Sequence, residues 1–149
     1  MEVRGDHTFA AAPEAVFDTL TDPAVLKRAL PGCEEFREVS PEHYRVTLAV
    51  NLVISSVTVG GDVAITDRDR PKSYRVEVSG SGSAGSLHVD GRFALEAKDA
   101  GTMLRYTLTI EFTGALAVLG AAVVEPAARL ILTQFMTAME KEVLRPAPG

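Results

Sequence analysis

The stretch GALAVLGAAVVEPAARLILTQFMTAMEKEVL, Gly114 to Leu144, decides the fold. Val124, Ala128, Ile131, Leu132, Phe135, Met139 and Val143 recur at helical spacing, while Arg129, Thr133, Thr137 and Lys141 recur on the opposite side. The segment reads as an amphipathic helix with one buried and one solvated face. It follows an alternating strand with no polar linker, so it is expected to lie across a sheet, with any bound molecule between the two. Pro126 admits two readings. Either it removes the hydrogen bond to Ala122 and bends or breaks one long helix, or the helix starts near Glu125 and Leu116 to Val124 is a separate apolar turn. As a separate turn hinged at Gly114 and Gly120, it would form a cavity mouth and present Leu116, Val118 and Leu119 to a membrane or a partner enzyme.

Upstream of the helix the hydrophobic period is two. Val3, Gly5, His7 and Phe9 share one face of a first strand. Pro13 and Asp22-Pro23 then open two short helices, the second ending by Pro31-Gly32. After Cys33, Phe36 to Val39 forms a weak strand. Alternation then places Tyr44, Val46, Leu48 and Val50 on one side, as it does Val57 to Ile65, Tyr74 to Val78, Leu87 to Leu95 and Leu104 to Phe112. The run Gly80 to Ser86 is either a glycine-rich hairpin loop or a strand end without side chains. Short turns between these strands imply an antiparallel meander with one buried face, which needs a cover. The fold class expected is therefore α+β: a seven-stranded antiparallel sheet, two short helices after the first strand, and a long C-terminal helix across the concave face.

The chain of 149 residues suits a single domain over residues 1–145, followed by a flexible tail at 146–149. One cysteine, Cys33, excludes an internal disulfide and a cysteine-cluster zinc site. The net charge of −5 without a Lys/Arg run argues against nucleic acid. The charged N-terminus is unlike a signal peptide, and the longest apolar run is too short to span a bilayer.

Alternation turns Tyr44, Tyr74, Tyr106 and His7 inward. Their rings either fill the core with the polar tips satisfied locally, or donate hydrogen bonds to a carbonyl-bearing apolar ligand. Phe93, Phe135 and Met139 are the apolar contacts expected beside them. No carboxylate, Lys or Arg turns inward, so a charged ligand would lie unpaired, and a neutral hydrophobic one is expected. His88 and Asp90 share an outer strand face; a solvated pair is the reading preferred over two metal ligands, and no metal site is expected. Cys33 is read as a small packed residue rather than a reactive thiol. The glycine-rich Gly80 to Gly85 joins strands instead of opening a helix, so it is not a dinucleotide fingerprint.

Several local signatures, in this order, resemble the CoxG family of carbon monoxide dehydrogenase subunits, within the START-like (SRPBCC) helix-grip superfamily. They are Gly5, Pro13 with Val16 and Phe17, Asp22-Pro23, Leu30 to Cys33, Gly61 to Asp67, Pro71 with Tyr74, Gly80 to Gly85, Gly91, Gly101-Thr102, and Gly114 to Ala117 with Gly120. The resemblance implies a grip cavity between sheet and long helix, no enzymatic activity, and no intrinsic cofactor. It also implies service to a molybdenum hydroxylase such as carbon monoxide dehydrogenase and binding of a lipophilic quinone at the membrane. The sequence stops at Gly149 without the longer members' membrane-attachment tail, so a cytoplasmic or loosely peripheral carrier is expected. Two rival readings stand beside it: an enzyme of the same fold, a cyclase or hydrolase using His7 or a tyrosine, and an assembly factor with a vestigial pocket.

Overall fold

In the computed structural model, which describes residues 1–51 and 56–145, the first element is strand β1 (Glu2–Phe9). Two short helices follow, α1 (Pro13–Leu20) and α2 (Pro23–Ala29), each with proline at its first position, where the missing N–H has no partner to lose. Asp22 caps α2 by accepting from the Ala24 N–H at 3.0 Å. Then come β2 (Cys33–Ser40), β3 (His43–Asn51), β4 (Ser56–Asp69), β5 (Ser73–Gly82), β6 (Gly85–Lys98) and β7 (Gly101–Phe112). Helices α3 (Ala115–Leu119) and α4 (Ala121–Val143) complete the order. The expected tail at 146–149 lies outside the described residues.

The seven strands form one antiparallel sheet in the order β1-β7-β6-β5-β4-β3-β2, so β1 pairs with the last strand rather than with its neighbour in sequence. Register aligns the inner face in rows. One row runs Gly5, Tyr106, Phe93 and Tyr74, the next Val3, Leu108, Gly91, Val76 and Ile65, and the next Ile110, Val89, Val78, Val63 and Tyr44. The Gly80 to Ser86 run resolves as strand ends: Gly82 and Gly85 pair across a two-residue turn at Ser83-Ala84.

The expectation at Pro126 is corrected. Helix α4 runs through Pro126 without interruption, and the break lies at Gly120, whose φ of 76° and ψ of 178° are not helical. Pro126 stands in the second turn and withdraws one donor from the exposed Ala122. Glycine at 120 reaches positive φ without the Cβ clash that other residues meet. The C-terminal half of α4 is the anchored half: Phe135, Met136 and Met139 are buried in a cluster with Phe9, Val16, Phe17, Leu20, Val25 and Leu26. The helix as a whole has α1, α2, α3 and β1 as close backbone neighbours.

Candidate functional site

Between α4 and the inner face lie two adjoining apolar cavities. The inner lobe, of about 200 Å³, is enclosed by Leu20, Leu26 and Leu30 from the short helices, by Phe36, Val46, Ile65, Tyr74, Val76, Val78 and Phe93 from the sheet, and by Phe135. The outer lobe, of about 190 Å³, lies toward the N-terminal half of α4, among Val50, Val57, Val59, Leu87, Ile110, Leu116, Val124, Ala127 and Ala128. Val89, Leu108, Ile131 and Leu132 line both. Among the described residues no charged side chain lines either lobe, and Tyr74 is the only polar one. Such a lining favours neutral solutes, because a charge there would lose its water without gaining a partner.

Of the residues singled out in the sequence, Tyr74, Phe93 and Phe135 come together in the inner lobe. Tyr74 stacks on Phe93, rings parallel and 4.9 Å apart, and receives the edge of Phe17 at 5.5 Å. Burial drives the Tyr74 phenol well above its ordinary pKa, which favours the neutral hydroxyl, a hydrogen-bond donor.

The other four lie elsewhere. The Tyr44 ring packs on Phe36, and its hydroxyl accepts from Arg68 Nη2 at 3.0 Å, so its polar tip is satisfied locally. Tyr106 is half-buried over Gly5; a Cβ at that glycine would come within 2.4 Å of the tyrosine hydroxyl. Burial raises the Tyr106 pKa, and the charge of Arg129 on α4 partly opposes it. His7 stands edge-on to Phe9, with its buried Nε2 against the Glu140 carboxylate of α4. Met139 has no exposed surface and belongs to the core.

At the mouth, Leu116 departs from its expected exposure. It is buried and lines the outer lobe, held there by its N–H, which donates to Ala84 O at 3.0 Å. Leu119 is half-buried, and Val118 alone of the three is open to solvent, at 87%. Gly114 is pinned against Gly85, whereas a side chain at Gly120 would meet nothing within 4 Å. The lobe-lining residues that sequence reasoning passed over are aliphatic: Leu20, Leu26 and Leu30, and the residues shared by both lobes, Val89, Leu108, Ile131 and Leu132. Alternation and helical spacing had marked the shared residues as apolar and inward, and nothing in their chemistry separates a cavity wall from a core.

The remaining candidates are engaged in other contacts. Asp90 holds Arg75 through two hydrogen bonds of 2.9 Å, and His88 Nδ1 lies 3.2 Å from Ser79 Oγ. Cys33 is half-buried, its thiol donates to Glu35 O at 3.3 Å, and burial raises its pKa, which disfavours the reactive thiolate. Among the described residues no group of three His, Cys, Asp or Glu is placed to hold a metal, and no helix is long and apolar enough to cross a membrane.

Comparison with known proteins places this architecture. The family described as CoxG, a subunit of carbon monoxide dehydrogenase, matches residues 5–144. No curated protein matches the chain. A solved structure of a conserved protein from Geobacillus kaustophilus is similar at 24% identity and a TM-score of 0.90, covering 96% of this chain and 95% of its own. TTHA0849 from Thermus thermophilus is 21% identical with a TM-score of 0.71, over 97% of each chain. The ZhuI aromatase/cyclase from Streptomyces sp. R1128 is 19% identical with a TM-score of 0.75, over 100% of this chain and 98% of its own. At these identities the likeness is one of fold, a helix-grip sheet with its long C-terminal helix.

Proposed function

The chain belongs to the CoxG family of carbon monoxide dehydrogenase subunits, and from that premise we propose that it is a non-catalytic accessory protein holding a neutral lipophilic ligand between sheet and helix. The observation that carries this reading is the lining of the two lobes, apolar among the described residues except for Tyr74. A quinone fits this chemistry, since its apolar body suits the walls and its carbonyl oxygen would accept from the Tyr74 hydroxyl. The family name supplies the partner: a carbon monoxide dehydrogenase, or another molybdenum hydroxylase, which the ligand would serve. Val118 at the tip of α3 is the proposed point of contact with that partner or with a membrane surface, within an uncharged run from Gly114 to Val124.

An aromatase/cyclase reading is favoured by one observation, the likeness to the ZhuI fold. In this chain it would rest on Tyr74, the only ionisable group among the described residues that faces the lobes. The two readings separate in one experiment. Protein stripped of lipid and offered a short-chain quinone is followed by native mass spectrometry. One-to-one uptake, with the quinone recovered unchanged, supports the carrier. A folded protein that takes up neither the quinone nor a neutral fluorescent probe such as Nile red overturns it, and conversion of an offered polyketide favours the cyclase.

A further inference from the structure

The two lobes follow from the spacing of side-chain sizes along α4. Ala127 and Ala128 face the outer lobe, Ile131 and Leu132 stand one turn on, and Phe135 closes the inner lobe one turn further. Successive levels are about 6 Å apart along the helix. Small side chains at the first level leave space, and branched ones at the second reach toward the sheet. There they face Leu108 and Val89, which line the same two lobes from the sheet; Leu108 is the strand partner of Gly91, and Val89 stands two residues before that glycine in β6. Gly91 is what lets the floor sit low: a Cβ there would come 2.8 Å from Leu108 Cδ2 and 2.9 Å from Phe93 Cε2, and both side chains would have to rise.

Neither lobe alone reaches the roughly 300 Å³ at which small-molecule sites begin, whereas the joined pair does. We infer that the lobes are two subsites of one elongated site, and that Ile131 and Leu132, closing on Leu108 over Gly91, form the waist that sets the length of ligand the protein accepts. This rests on the reading that the cavity binds a neutral apolar molecule. A short ligand fills the inner lobe beside Tyr74, and a longer one threads the waist and ends among the valines of β3 and β4. The waist can open because Ile131 and Leu132 are only half-buried, on the part of α4 before its anchored end.

The test uses straight-chain alkan-1-ols from hexanol to hexadecanol, displacing Nile red from the full-length protein. In the wild type, affinity should rise about fourfold per methylene across the whole series while chain length still finds wall. Leu132→Phe narrows the waist from the helix, and Gly91→Ala narrows it from the sheet by lifting Leu108. Each should weaken the long alcohols far more than hexanol and octanol, and flatten the rise at the length where the inner lobe is full. Two independent routes to the same point guard against a folding defect in either variant. Equal losses for short and long alcohols, or an unbroken rise in both variants, would overturn the waist while leaving ligand binding intact. Failure of every alcohol and of Nile red to bind the wild type would instead remove the carrier reading itself.

Discussion

The two halves of α4 lie in one helix and on one sheet, yet they are packed by different rules. Toward its C-terminus, Phe135, Met136 and Met139 interlock with α1, α2 and β1. That end is also tied by the bidentate Arg28–Glu142 pair, at 3.1 and 2.9 Å, and by the contact of His7 with Glu140. Toward its N-terminus, Val124 is the one buried residue of the first three turns, and alanines face empty space. The helix is clamped at one end and held off the sheet at the other. That difference makes a cavity compatible with a stable domain, because the core that drives folding and the empty space occupy separate stretches of the same element.

The largest expected effect tests the clamp. Met139→Ala removes a side chain with no exposed surface and should destabilise the protein by about 2–5 kcal/mol in urea unfolding. Leu132→Ala, whose side chain already borders open space, should cost less than half as much; equal losses would mean that the two halves are packed alike. A smaller effect sharpens the functional side of the contrast. Tyr74→Phe should weaken quinone binding by about five- to tenfold, the worth of one neutral hydrogen bond, and shift the unfolding midpoint little. Unchanged affinity would remove Tyr74 as a ligand contact.

The smallest effect concerns two ion pairs of the short helices, one of which ties α2 to the clamped end of α4. Arg28 holds the Glu142 carboxyl below its ordinary pKa, and Arg70, hydrogen-bonded at 2.7 and 2.8 Å, does the same for Asp18. A carboxylate depressed on folding contributes stability that is present above its unfolded pKa and lost as the pH falls through the lowered one. Thermal unfolding followed from neutral pH down through the carboxylate range should therefore show a slightly steeper acid loss in wild type than in Glu142→Gln. Because Arg28 and both members of the Arg70–Asp18 pair are about half exposed, the difference should be small and should shrink further in high salt.

Much of the clamp was legible in the sequence. Alternation placed the strands and their inner faces, proline and Asp22 marked the starts of the short helices, and helical spacing brought Phe135 and Met139 to the sheet. The cavity was legible only in kind. An inward face without charges implies a neutral ligand, but whether an inward Tyr44 or Tyr74 meets solvent, core or void depends on partners distant in sequence. Arg68 satisfies Tyr44, whereas the Tyr74 ring lies against Phe93 at the edge of the inner lobe. His7 lies outside both lobes, beside Glu140 on a helix more than a hundred residues away. At the start of α4 the sequence left a break at Pro126 and a hinge at Gly120 side by side, because both residues interrupt helices by chemistry, and only the torsion angles assign the break to the glycine.

The place of β1 at the sheet edge, beside β7, has a consequence for the chain as it is made. Glu2 finds Thr109 and Phe9 finds Thr102, partners about a hundred residues later in the sequence. At a translation rate of roughly 5–20 residues per second, β1 waits about 5–20 s for the strand it must join. Meanwhile β2 to β6 can zip together hairpin by hairpin, their apolar face bare until α4 arrives. The apolar inner face that later lines the two lobes is thus the one a nascent chain leaves open longest, and a hydrophobic molecule met at that stage could template the sheet before the helix closes over it.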